Sequence, residues 1–166
     1  MQKHIRRGLV AVAVPAVGLF AWSNLVGAGH ENVVLETELK GRNEVATGAT
    51  NRGNVGDPNG RGEAYVFGID GDPNTLCYVL TVSKIEPAKM AHIHRGAAGS
   101  NGPVVVNLAA PADGNAADCL TVGEPDKFLM GQTVQEILAN PESFYVNVHN
   151  AKYPAGAIRG QLQPQS

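Results

Sequence analysis

Tryptophan occurs once in the 166 residues, at Trp22, and cysteine only twice. Trp22 lies in the first apolar stretch, so the remaining chain has no indole on which sugars or bases could stack. Basic surplus is also missing. The 13 Lys and Arg face 15 Asp and Glu, and Lys3, Arg6 and Arg7 all fall in the first 28 residues, which hold no carboxylate. The 138 residues that follow carry net charge -5. That balance excludes nucleic acid and an anionic membrane surface as partners, since both require basic patches. No serine sits in a nucleophile elbow, and the glycine-rich stretch 96–102 has no Lys-Ser/Thr to make it a phosphate loop. Asp70 and Asp72 start no complete calcium-ligand series and read as turn residues. Among the familiar catalytic patterns, none is present.

What is present begins with an expected export signal over residues 1–28. Lys3, Arg6 and Arg7 form a positive start, 9–22 is apolar but broken by Pro15 and Gly18, and Val26-Gly27-Ala28 supplies small residues for cleavage. The apolar run is short for a membrane span, and none follows it, so residues 29–166 read as a single secreted or envelope domain. Cleavage one residue earlier would leave Ala28-Gly29-His30 as a chain start able to chelate copper(II). Export fits the cysteine count. Cys77 and Cys119 are an even pair in an oxidising compartment, which favours a bridge between them over two buried thiols.

The 20 glycines and 10 prolines punctuate short alternating segments. Strands are expected at 33–39, 62–70, 75–83, 88–94, 104–108, 143–149 and 157–163. Gly71-Asp72-Pro73-Asn74 reads as the turn of a hairpin, with Leu76, Tyr78, Leu80 and Val82 then on one face. Thr133-Val134-Gln135-Glu136 is a capping box for one short helix that stops before Pro141. The expected fold is all-β: a Greek-key sandwich of about seven or eight strands, superoxide-dismutase-like or immunoglobulin-like.

Period two places His92 and His94 on one strand face, and His149 with Asn147 on the face of another. His-x-His holds two imidazoles on one side of a strand, roughly 7 Å apart along the backbone. A third imidazole from His149 completes a ligand set suited to copper and, less well, to zinc. The competing reading makes these histidines structural, bonded to backbone carbonyls or Asn147. Arg159 belongs to the same polar patch. It opposes a cation site unless its charge points elsewhere, for example toward a carboxylate of a loop.

Several of these segments resemble the CHRD domain family, the module named from chordin. Leu39-Lys40-Gly41-Arg42-Asn43-Glu44-Val45 is similar to its opening, and Ala91-His92-Ile93-His94-Arg95-Gly96 with Gly99 through Val105 to its central signature. Tyr145-Val146-Asn147-Val148-His149 and Gly156-Ala157-Ile158-Arg159-Gly160-Gln161-Leu162 are similar to its close. The resemblance spans about residues 33–163; Ala46-Thr47 and Asn150 depart from the common pattern. It implies an extracellular β-sandwich. The namesake's antagonism of growth factors runs through cysteine-rich modules that this chain lacks. His-x-His followed by a late single His is also similar to the copper strands of copper/zinc superoxide dismutase, although the bridging and zinc histidines have no counterpart. Two functions are therefore expected: a non-enzymatic module binding an unidentified extracellular protein or matrix component, or a copper protein, weakly redox-active at most, using His92, His94 and His149.

Overall fold

The structure, a computed structural model, describes residues 33–47 and 55–166. The expected export signal and His30 lie outside the described residues. The described chain is all-β with one short helix, in the order β1 (Val34–Lys40), β2 (Arg61–Ile69), β3 (Asp72–Ser83), β4 (Ala88–Arg95), β5 (Val104–Leu108), β6 (Asn115–Thr121), α1 (Val134–Ala139), β7 (Phe144–Asn150), β8 (Ile158–Gln161) and β9 (Gln163–Pro164).

All strands form one antiparallel sheet in the order β5-β4-β7-β8-β1-β2-β3-β6, with β9 paired to β1. The all-β expectation holds, and the detail differs from the expected sandwich: one continuous curled sheet forms the fold. The halves β5-β4-β7-β8 and β1-β2-β3-β6 are joined where Lys40 pairs with Arg159, and β9 adds pairs to Leu35 and Glu36. Because that seam is narrow, the sheet can turn sharply there and fold its concave face around one core. Leu35 and Leu39 of β1, Val66 of β2, Leu76 and Leu80 of β3, Ile93 of β4, Val106 of β5, Val146 and Val148 of β7 and Ile158 of β8 meet in it, all fully buried. Each such side chain contributes roughly 1.5–3 kcal/mol by leaving water. Tyr78 of β3 reaches across the core, its hydroxyl accepting from Ala109 N just beyond β5 at 2.7 Å.

The β2–β3 turn is tighter than expected. Ile69 pairs directly with Asp72, leaving Asp70-Gly71 as the turn, and Pro73 and Asn74 fall in a register shift inside β3. A bulge tolerates Pro73 because its missing N–H has no ladder partner to fail. The strand β6 has no counterpart among the expected segments. Its sequence, Asn115-Ala116-Ala117-Asp118-Cys119-Leu120-Thr121, does not alternate, because a largely exposed edge strand sends only Ala116 and Leu120 against the core while Asp118 between them stays exposed. Its partner is β3, where Cys77 pairs with Cys119 in register, and the two are joined by a disulfide.

Thr133 caps α1 as expected, its hydroxyl accepting from Glu136 N at 3.3 Å, and Val134, Ile137 and Leu138 face the core. Glu136 does not reach back to close the box. Its carboxylate instead takes Arg95 Nη1 at 2.5 Å and Gln132 Nε2 at 3.3 Å, tying the helix to β4.

Candidate metal centre

Strand β7 is buried at all seven positions, so its convex face is covered as completely as its core face. On that face the register sets His92 beside Asn147, and Asn147 beside Arg159. The neighbouring row sets His94 beside Tyr145, and Tyr145 beside Gln161. The loop 96–103 covers these rows, and Arg159, only 2% exposed, pins it. Its guanidinium donates to Ser100 O at 2.5 Å, Asn101 Oδ1 at 3.1 Å and Ala97 O at 3.4 Å, and lies over the Tyr145 ring at 3.4 Å from the centroid. The charge is thus taken up by loop oxygens and an aromatic face, with the carboxyl of Glu44, in the loop after β1, also close enough to act on it. Gly102 packs so closely on β4 that a Cβ there would stand 1.7 Å from Arg95 O; only glycine lets the loop settle.

The three histidines converge. One ring nitrogen from each of His92, His94 and His149 lies within 4.8 Å of the other two. Backbone carbonyls set two of the tautomers. A carbonyl can only accept, so His94 Nδ1–H donates to Gly102 O at 2.9 Å, and His149 Nδ1–H donates to Pro154 O at 3.1 Å. Both Nε2 atoms therefore carry lone pairs. His149 Nε2 lies 3.2 Å from His92 Nδ1, while His94 Nε2 is buried with no hydrogen-bond partner. His94 stacks on Tyr145, with centroids 4.7 Å apart and planes at 7°. A polar tip locked this way, with its other nitrogen bonded to a carbonyl, is how metal-binding imidazoles are usually oriented.

Electrostatics keep the rings neutral. Burial, then the neighbouring His149 and His94, push His92 down to about 4. Burial also lowers His94, against the opposing bond to Gly102, and lowers His149, against the bond to Pro154. Neutral imidazoles are the ligating form, so the cluster needs no proton removed near pH 7.

Glu44 was missed as a site residue from sequence, since it lies just past β1 where no alternation marks it. Its Oε2 accepts from Asn147 Nδ2 at 3.5 Å, and burial pushes its carboxyl up to about 8 despite the nearby Arg159 charge. Glu44 Oε1, Asn147 Oδ1 and His94 Nε2 are the buried side-chain polar atoms without a partner among the described residues, and all three belong to this one region. Orphaned atoms gathered in one place mark a spot where water or an ion completes the bonding. A cleft of about 410 Å³ runs over β1, β2 and β3 between Glu38 and Ser83, and none of the histidines lines it.

The match to the CHRD domain family covers residues 35–162. The chain belongs to the CHRD domain family. The matched stretch contains Glu44, His92, His94, His149 and Arg159, so the whole convex-face cluster lies inside the CHRD domain. No curated protein and no solved structure matches the chain. Among the described residues no helix is long and apolar enough to cross a membrane.

Proposed function

We propose that this CHRD domain is an exported copper-binding protein whose ion is held by His92, His94 and His149. The observation that carries this reading is the pair of loop carbonyls, Gly102 O and Pro154 O, that leave the Nε2 atoms of His94 and His149 unprotonated in a cluster where one ring nitrogen of each of the three histidines lies within 4.8 Å of the other two. Three neutral imidazoles without thiolate favour copper, and zinc after it. Such a set leaves a coordination position for water or a small ligand, which allows at most modest redox chemistry. The disulfide and the basic, apolar first 28 residues support an oxidising, extracytoplasmic setting. The test is metal analysis of natively exported protein, then copper titration of wild type and His92→Ala/His94→Ala. Wild type should bind one equivalent and the variant none; equal binding by both would remove the proposal.

A second reading, a module that docks a protein or matrix component, draws on exposed aliphatics of the other half of the sheet. Val79 is 41% exposed and Ile69 39%. It predicts partner binding that survives His92→Ala/His94→Ala and is lost on Val79→Asp.

A further inference from the structure

Strand β4 carries another donor on the histidine face. Met90 is two residues before His92 and four before His94, with no register shift between Met90 and His94 on the β7 side, so its side chain leaves the sheet on the same face as theirs. Its register partner on β7 is His149. Facing Cβ atoms in an antiparallel pair lie about 4.5–5.5 Å apart. The thioether, on a flexible unbranched stem, therefore borders two of the three imidazoles, His92 along its own strand and His149 across from it. Met90 is 45% exposed, whereas Ala88 and Ala91 near it are buried, so packing does not account for a long apolar side chain there.

We propose that Met90 is the soft, solvent-side donor of this centre: its Sδ ligates copper(I) together with His92 and His149 and makes the site discriminate copper(I) from zinc(II). This rests on the copper reading above and deepens it. The chemistry is that of ligand softness. A thioether binds a cuprous ion well and zinc poorly, so one thioether added to imidazoles shifts the preference without a change of shape. The Cys77 and Cys119 sulfurs are tied in a disulfide and do not compete as thiolates. Position also matters, since a donor at the exposed edge meets an incoming ion before the buried His94 does.

The experiment compares the full exported chain with Met90→Leu, a swap of similar volume at a partly exposed position. Copper(I) affinity is read by competition with a chromogenic cuprous chelator, and zinc(II) affinity by competition with a zinc dye. X-ray absorption at the copper edge reports the donor atoms. The expected result is a tenfold or greater loss of copper(I) affinity in Met90→Leu, zinc(II) affinity unchanged within twofold, and a sulfur scatterer in wild type that the variant lacks. Unchanged copper(I) affinity, absence of the sulfur scatterer, or equal loss for both metals would each overturn the role of Met90. Those outcomes leave the three-histidine site standing. That site fails separately, if wild type and His92→Ala/His94→Ala bind copper equally.

Discussion

His92 Nδ1 and His149 Nε2 stand 3.2 Å apart across two strands, and the proton between them belongs to His92 in the metal-free protein. His149 keeps its proton on Nδ1, where it donates to Pro154 O, so its Nε2 can only accept. A further proton on either ring would put a cation into a buried gap. Burial, His149 and His94 hold His92 at about 4, against an ordinary value of 6.5. Between those two pH values the unfolded chain binds protons that the folded chain refuses, so stability falls as pH drops through that window. The melting midpoint of metal-free protein should decline from pH 6.5 to 4, and less steeply in His92→Gln. Equal slopes for both proteins in scanning calorimetry would contradict the assignment.

Glu44 has the opposite sign. Its carboxyl is raised from 4.5 to about 8, so the folded chain keeps a proton that the unfolded chain has lost. That contribution is fully present below pH 4.5 and disappears as pH rises through 8. Glu44→Gln, which stays neutral, should therefore hold its midpoint between pH 6 and 8.5 while wild type declines. A parallel decline in the two proteins would show that Glu44 is already ionised at neutral pH.

Arg159→Lys keeps the charge but replaces a planar fork by a point ammonium. A lysine cannot serve Ala97 O, Ser100 O and Asn101 Oδ1 together or lie flat on Tyr145. The loss should be on the order of 3 kcal/mol, read by urea denaturation. Because the same loop presents Gly102 O to His94, copper affinity should fall at least tenfold in protein that is still folded. Stability lost with affinity intact would mean that the loop does not orient His94.

The disulfide closes a sequence separation of 42 residues. On the chain-entropy account, reduction removes about 4 kcal/mol. Calorimetry with and without reductant should show a drop on the order of 10 °C. Hydrogen exchange should locate the first loss at the amides of β6, whose exposed face leaves little else than the β3 ladder and Leu120 to hold it. Uniform loss across all strands would place the effect of the bridge elsewhere.

Alternation was enough to find β1 to β5, β7 and the Ile158–Gln161 strand, and to sort His92, His94 and His149 away from Ala91, Ile93 and Val148. It did not find β6, because the exposed Asp118 between Ala116 and Leu120 breaks the apolar period. The CHRD motifs supplied the family and pointed to the histidine strands, and the capping residues located α1. Beyond the tighter β2–β3 turn and the open capping box, two larger expectations changed form. The sandwich became a single curled sheet, because β8 and β9 bond to β1 and fuse the halves. Arg159, read as a hazard to a cation, became the pin of the loop that orients His94.

The division has a physical basis. Which side a residue leaves a strand is set by the backbone repeat of two, and turns by residues a few positions apart, so both are written locally. Which strands become neighbours is decided by hydrophobic burial summed over the whole chain. Only that pairing brings His92 and His149, separated by 57 residues, within 3.2 Å. It also brings the carbonyls of Gly102 and Pro154 to the two imidazoles and closes loop 96–103 over them. Desolvation then lowers the histidines and raises Glu44, and no local pattern encodes a dielectric environment.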